Sequence, residues 1–211
     1  MSFLSMNFLL FLSVAILGYY VIPKRLQWVW LLLFSYIFYL ASGTTAVVFI
    51  LATTVTTFLA GLILEYLDVK MDRELNGQTP PLTPEQKKAV KARYKRNKKW
   101  IAAAVLLINF GILAVLKYRN FAVGNVNQLF GTDFALGKLI LPLGISFYTF
   151  QSMGYLIDVY RGKYAPDHNL FRFALFVSFF PQILQGPIGR YDRLASQLFS
   201  QRKFSLERVE R

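Results

Sequence analysis

The stretch TAVVFILATTVTTFLAGLIL, residues Thr45–Leu64, is twenty residues long and carries no charge. An α-helix rises about 1.5 Å per residue, so a run of this length crosses the ~30 Å hydrocarbon core of a bilayer. Four further uncharged runs of similar length flank it; they are Phe3–Ile22, Leu26–Gly43, Trp100–Leu116 and Leu139–Ile157. The sequence therefore predicts an all-α, polytopic membrane protein with about five spanning helices.

The composition agrees with this fold class. Of the 211 residues, 55% are hydrophobic and 17% are charged, which is more apolar and less charged than an average soluble domain. Core helices of a soluble protein are the alternative, but a chain of this length cannot bury five such helices on all sides. The sequence contains no cysteine, which excludes disulfides and thiolate metal sites.

Much of the net charge of +13 lies in one connection between apolar runs. Residues 83–99 contain eight Lys and Arg side chains against the single carboxylate of Glu85. Basic residues that flank membrane helices are typical of the cytoplasmic side. This rule predicts a cytoplasmic basic loop at 65–99, a cytoplasmic turn at Pro23–Gln27 and an extracytoplasmic N-terminus in the cell membrane. It accounts for the charge without nucleic acid, which we do not expect as a partner.

A helix start is readable inside this connection. Thr83 is suited to the N-cap, Pro84 to the first helical position, and Gln86 to a capping box. The helix is predicted to continue without interruption into the apolar run 100–116. Its basic half is either a topology signal or a docking surface for an acidic partner, and the topology signal is favoured because membrane insertion requires it in any case.

A sixth apolar stretch, Phe171–Ile188, departs from the simple pattern. It contains Arg172, is interrupted by Pro181 and ends in Gly186-Pro187, and the tail 190–211 that follows is basic. A plain crossing would place this basic tail outside the cell, so we expect a broken or re-entrant helix that returns to the cytoplasmic side. Irregular backbone at membrane depth requires surrounding protein or a water-filled cavity. A site is therefore predicted in this region.

A polar stripe runs along the segment 139–157. At about 100° per residue, five polar side chains share one helix face; they are Tyr148, Gln151, Ser152, Tyr155 and Asp158. The opposite face is predicted to carry Phe147, Phe150, Met153 and Ile157. Such a stripe must face other helices or a polar cavity, and both helix packing and substrate contact are compatible with it. Asp158 is expected to pair with Arg161 or another base.

Two blocks of the sequence, 141–162 and 179–191, resemble a known family. The first block contains LPLGISFYTFQ at 141–151 and YLIDVYRG at 155–162, and the second contains FFPQ at 179–182 and GPIGRY at 186–191. In order and spacing they resemble the membrane-bound O-acyltransferase family, in particular its bacterial branch of alginate O-acetylation and D-alanyl-lipoteichoic acid transfer proteins. The resemblance implies a ring of helices around a central funnel, with a tunnel for the acyl donor on the cytoplasmic side.

The resemblance also implies an activity, the transfer of an acyl group, expected to be acetyl, from an acyl thioester to hydroxyls of a cell-envelope polysaccharide. Expected donors are acetyl-CoA or an acyl carrier protein, and an extracytoplasmic acetyltransferase is an expected partner; no bound cofactor or metal is expected. Residues expected to line the substrate tunnel are Tyr148, Gln151, Ser152, Tyr155, Asp158, Gln182 and Arg190. Arg190 would neutralise an anionic donor or hold its loop through a carboxylate or carbonyl.

The family's essential histidine is expected well downstream of the Gly-Pro-Ile block, beyond Arg211. The resemblance therefore implies that residues 1–211 are the truncated N-terminal half of one membrane domain, without a catalytic residue and inactive alone. The single histidine, His168, lies upstream in a polar connection and is expected to be solvated. Two alternatives remain, a membrane transporter or channel built on the polar stripe, and a non-catalytic scaffold that docks an acidic carrier protein through Lys87–Lys99.

Overall fold

The computed structural model describes residues 6–77, 81–134, 142–185 and 189–200, and only the backbone at 183–185. Every regular element in these ranges is helical, which confirms the all-α prediction. In chain order the elements are α1 (Met6–Val21), a 3-10 turn (Lys24–Leu26), α2 (Gln27–Ser42), α3 (Thr44–Asn76), α4 (Pro84–Phe130), α5 (Ile145–Tyr160), α6 (Leu170–Ser178), α7 (Phe180–Gln185) and α8 (Tyr191–Leu198).

The first two helices pack closely at one point. The indole Nε1 of Trp30 in α2 donates a hydrogen bond to the carbonyl oxygen of Ala15 in α1, at 3.0 Å. A Cβ atom on Gly18 would overlap the Trp30 ring, so glycine is required for this approach. The next turn is formed by Gly43, whose φ of 127° lies in the region that favours glycine. This glycine alone separates α2 from α3.

The two longest helices, α3 and α4, extend beyond a bilayer core. With 33 and 47 residues, they are about 50 and 70 Å long at 1.5 Å per residue. The predicted capping box at Thr83 is confirmed, with the Thr83 hydroxyl accepting from Gln86 N at 3.3 Å and the Gln86 side chain accepting from Thr83 N at 3.0 Å. The helix runs through the apolar segment as predicted, but it ends at Phe130 and not near 116, because no breaker precedes Gly131, whose φ is 63°.

Side-chain contacts join the C-terminal part of α3 to the N-terminal part of α4. Glu74 accepts hydrogen bonds from Arg93 Nη2 at 2.6 Å and from the Tyr94 hydroxyl at 2.9 Å. One turn further toward the apolar segment, Lys98 Nζ donates to both carboxylate oxygens of Asp68 at 2.6 and 2.7 Å. The connection 65–99 is therefore a helical pair for most of its length.

The predicted interruption of the sixth apolar stretch is present, but it lies earlier than expected. The helix ends at Ser178 and resumes at Phe180, so the break is at Phe179 and not at Pro181. A proline ring clashes with the carbonyl four residues before it and has no N–H for that carbonyl, so the disturbance falls in the preceding turn. Gly186-Pro187 lies outside the described residues. The helix of the apolar run 139–157 begins later than the run does, because residues 142–144 are not helical. The described part of α5 begins at Ile145, after Gly144 with a φ of 70°.

Large apolar side chains are exposed on several of the helices. Within the described ranges, α3 and α4 are the helices long and apolar enough to cross a membrane, while α1, α2 and α5 have 16 residues each. Large side chains on α4 stand free of the protein, for example Leu107 with 73% of its surface exposed. A continuous apolar surface of this kind is unfavourable in water and suits a hydrocarbon environment. The chain is a membrane protein.

Candidate functional site

The polar stripe of α5 is buried between helices. Tyr148, Gln151, Ser152 and Tyr155 are all buried, where α5 packs against α3, α4 and α6. Phe147 and Phe150 are exposed, as predicted. Met153, also predicted on the face opposite the stripe, is buried with only 1% of its surface exposed. Because α5 is surrounded by three helices, residues beyond its polar stripe are buried as well.

Gln151 completes the hydrogen bonding of the broken helix. In a continuous helix the Phe176 carbonyl would accept from the N–H of Phe180. Because the helix breaks at Phe179, the Phe180 N–H instead donates to Ser35 Oγ in α2 at 3.4 Å. Gln151 Nε2 donates to the freed Phe176 carbonyl at 2.7 Å in a fully buried contact. The amide thus satisfies a backbone acceptor that the break would otherwise leave unpaired.

Asp167, in the connection between α5 and α6, ties three elements together. Its N–H donates to the Tyr155 hydroxyl at 2.9 Å, and its Oδ2 accepts from the Tyr191 hydroxyl of α8. Its Oδ1 accepts from the N–H of Asn169 at 2.8 Å, and Asn169 in turn caps α6. The rings of Tyr155 and Tyr191 pack edge to face at 4.9 Å between centroids.

The Asp158 carboxylate does pair with bases, although Arg161 is not one of them. Asp158 Oδ2 lies 3.2 Å from Lys163 Nζ and 3.6 Å from Arg190 Nη2. The chain reverses at Gly162, whose φ is 70°, and the Lys163 N–H bonds back to the Asp158 carbonyl at 3.0 Å. This reversal brings Lys163 onto Asp158, whereas Arg161 lies on another side of α5.

A separate cavity, called here the basic groove, contains Arg161. It has a volume of about 580 Å³ and lies where α3, α4 and the end of α5 meet. The residues that line it are Asp68, Met71, Lys91, Lys95, Lys98, Tyr160 and Arg161. The C-terminal end of α5 therefore lies beside the basic half of α4.

The predicted tunnel residues gather around a smaller cavity of about 230 Å³. We call it the α5 cavity, and its lining residues are Gln151, Gly154, Tyr155, Ile157, Asp158, Tyr164, Gly189, Arg190 and Tyr191. Four of the seven predicted tunnel residues are among them. Gln182 lies at the edge, where a Cβ on Gly189 would overlap its amide. Tyr148 and Ser152 do not line the cavity, and their hydroxyls have no hydrogen-bond partner among the described residues.

Two partly buried phenols, Tyr164 and Tyr191, line the α5 cavity. Burial raises the pKa of Tyr164 far above its ordinary value, and the nearby Asp158 raises it further. Burial likewise raises the pKa of Tyr191, together with its hydrogen bond to Asp167. Both phenols therefore stay protonated at neutral pH. The charged groups at the mouth, Asp158 and Asp192 with Lys163 and Arg190, balance one another.

Asp158 is the carboxylate in the lining of the α5 cavity, and it is paired with Lys163 and Arg190. His168 is exposed, lies 3.2 Å from Glu65 Oε2, and is not part of the cavity lining. Within the same ranges, no group of three or more His, Asp or Glu side chains could hold a metal ion. This arrangement can orient a small polar group through hydrogen bonds.

Sequence reasoning missed Lys163, Tyr164, Asp167 and Tyr191 as site residues. Gly162 was the available signal, because a glycine directly after a helix marks a chain reversal that returns the next residues to the helix end. Asp167 follows Pro166 in a turn, and a turn aspartate commonly binds nearby backbone N–H groups. Its contact with Tyr191 joins residues 24 positions apart, and no local pattern indicates such a pair.

Comparison with known proteins gives relatives along most of the chain. It is 33% identical over 203 residues to the probable alginate O-acetylase AlgI of Pseudomonas aeruginosa, covering 94% of this chain and 34% of that protein. It is 33% identical over 116 residues to the peptidoglycan O-acetyltransferase of Helicobacter pylori, covering 44% of this chain and 22% of that protein.

A shorter similarity extends to a third kind of transferase. The chain is 40% identical over 57 residues to the teichoic acid D-alanyltransferase of Lacticaseibacillus rhamnosus, covering 27% of this chain and 14% of that protein. The chain spans about a third of the length of the alginate O-acetylases that it matches along most of its length. No protein-family model matches the chain, and no solved structure matches it.

Proposed function

Because the chain belongs to the membrane-bound O-acyltransferase family, we propose that it forms part of an enzyme that transfers an acyl group to hydroxyls of a cell-envelope polymer. The observation that carries this proposal is the similarity to a probable alginate O-acetylase over 94% of the chain. Relatives named for peptidoglycan and teichoic acid support the polymer class. A transporter or channel is not favoured, because these relatives are named transferases.

The α5 cavity is the proposed contact of this chain with the acyl donor. The Tyr164 hydroxyl has no hydrogen-bond partner among the described residues and is suited to donate to a carbonyl oxygen, while the Tyr191 hydroxyl donates to Asp167. Asp158 holds the Arg190 guanidinium at the mouth, where it is half exposed and able to meet an anionic group. Gln151 and Tyr155 support the surrounding backbone through Phe176 and Asp167. The general base is proposed to lie outside residues 1–211.

The mouth of the α5 cavity is proposed to face the cytoplasm. Arg161, at the end of α5, lines the same groove as Lys91 and Lys95 of α4. Asp158 and Lys163 are therefore on the side of the membrane that holds the basic half of α4, and basic segments favour the cytoplasmic side. A donor such as acetyl-CoA or an acyl carrier protein would reach the cavity from there. The N-terminus would then be extracytoplasmic, and transfer to an outer polymer would involve an extracytoplasmic acetyltransferase.

Transfer in membrane vesicles tests this function. Inside-out membrane vesicles of the source organism, which contain the full-length gene product together with its partner proteins, receive radiolabelled acetyl-CoA on the exposed cytoplasmic face, with alginate or peptidoglycan enclosed as acceptor. We expect label in the polymer, a lower rate for Arg190→Gln, and an unchanged rate for His168→Gln, a matched polar change outside the cavity. Loss of transfer in His168→Gln would contradict the proposed site. An absence of label with every acceptor would contradict the acetyl-transfer function.

A further inference from the structure

The basic groove carries more positive charge than its own carboxylate can balance. Its lining includes four cationic side chains and one carboxylate, that of Asp68. Asp68 is already occupied by Lys98, with both oxygens 2.6–2.7 Å from Nζ. In the part of the chain that the structure describes, no carboxylate lies within salt-bridge distance of Lys91, Lys95 or Arg161. The groove therefore presents three unneutralised positive charges.

The geometry of α4 concentrates these charges on one side. Lys91, Lys95 and Lys98 follow one another at intervals of four and three residues, which places them on the same helix face. Arg161 meets this face from the end of α5. A concave site with several like charges focuses its field on whatever ion enters it. The ligand that fits is compact and carries more than one negative charge.

The groove lies at the level of the lipid headgroups. Lys98 stands two positions before Trp100, where the apolar run of α4 begins, and the Trp100 side chain is 69% exposed. Exposed tryptophan at the start of an apolar run is typical of the membrane interface. On the other wall, Arg161 follows the apolar run of α5, which ends at Ile157. The apolar runs of α4 and α5 therefore both give way to basic residues at the groove.

We propose that the basic groove binds the headgroup of an anionic phospholipid that carries two phosphates, from the adjacent leaflet. Lys91, Lys95 and Arg161 would contact the phosphate oxygens, and Met71 and Tyr160 provide apolar surface for the glycerol end of the lipid. The volume of about 580 Å³ lies in the range of ordinary small-ligand pockets. A docked carrier protein is less favoured, because the cations line a cavity at membrane level. The inference does not depend on acyl transfer.

Lipid binding to the purified protein tests the proposal. Native mass spectrometry in detergent measures retention of cardiolipin, with phosphatidylcholine as the zwitterionic reference. Each basic side chain contributes about fivefold to the affinity for an anionic lipid surface, so Lys91→Gln/Lys95→Gln should weaken cardiolipin binding about 25-fold. The matched control is Lys70→Gln/Arg96→Gln, which removes the same charge from exposed positions of α3 and α4 outside the groove. We expect it to bind cardiolipin as the unchanged protein does.

Three outcomes would overturn the proposal. Equal cardiolipin binding by the two double variants would show that the groove is not the lipid site. Displacement of cardiolipin by coenzyme A at equal concentration would assign the groove to a soluble phosphate compound. Loss of acidic carrier-protein binding in Lys91→Gln/Lys95→Gln, with cardiolipin binding unchanged, would assign it to a protein partner. Circular dichroism establishes that both variants keep the helical content of the unchanged protein, so that reduced binding reflects the groove.

Discussion

Replacing Gln151 with methionine removes the donor that satisfies the Phe176 carbonyl at the helix break. The side chain keeps its length and its place in the core, so little volume is lost. The carbonyl then loses its 2.7 Å hydrogen bond in a fully buried setting. Leaving a buried acceptor unpaired costs about 1–3 kcal/mol. For a protein of this size, each kcal/mol lowers Tm by about 2–4 °C. We therefore expect a Tm lower by several degrees.

The neighbouring residue gives a matched control. Ser152 is fully buried, and its hydroxyl has no hydrogen-bond partner among the described residues. Ser152→Ala removes a buried polar group that makes no bond, so stability should stay the same or rise. Thermal unfolding of both variants in the same detergent, followed by circular dichroism, measures the difference. Equal Tm values for Gln151→Met and Ser152→Ala would refute the role assigned to the amide.

Three further predictions concern packing, pH and the exposed histidine. Gly18→Ala should destabilise the protein by about 1–3 kcal/mol, because its Cβ overlaps the Trp30 ring; Gly124→Ala, with open space around it, should stabilise α4, and thermal unfolding compares the two variants. The raised pKa of Tyr191 means that its phenol ionises in the unfolded chain near pH 10 but stays protonated in the folded one. The free energy of unfolding should therefore fall as pH rises above about 10, and less steeply in Tyr191→Phe; alkaline unfolding curves with the same slope would contradict this. His168→Gln should change Tm by less than about 2 °C, because exposed substitutions usually stay within about 0.5 kcal/mol; a larger loss in thermal unfolding would show that its contact with Glu65 is structural.

The helices could be predicted from the sequence because their signals are local. Uncharged runs such as Thr45–Leu64 locate the apolar part of a helix, although α3 continues to Asn76, and the capping box at Thr83 lies within four residues. The unbroken course of α4 followed from the absence of breakers. The end of α4 at Phe130 could not be predicted in this way, because the hydropathy falls after Leu116 while the helical hydrogen bonds continue.

The site could be predicted only in part, because its contacts are not local. The stripe identified Gln151, Tyr155 and Asp158 as facing inward, since a polar face of a membrane helix avoids lipid. The stripe did not indicate their partners. Gln151 and Phe176 are 25 residues apart, and their contact exists only because the chain breaks at Phe179. The sequence predicted a basic partner for Asp158 but left its identity open, because the reversal at Gly162 decides that Lys163 returns to it.

The most direct test of the central claim is the amount of alkali-labile acyl ester on the cell-envelope polymers of the source organism, with and without the gene. Mild base releases ester-linked acyl groups as free acids, and mass spectrometry identifies and quantifies these acids whichever donor supplied them. We predict that deletion removes acyl ester from one envelope polymer and that the intact gene restores it. Unchanged ester content on every envelope polymer after deletion would contradict the proposal that this chain belongs to an envelope O-acyltransferase.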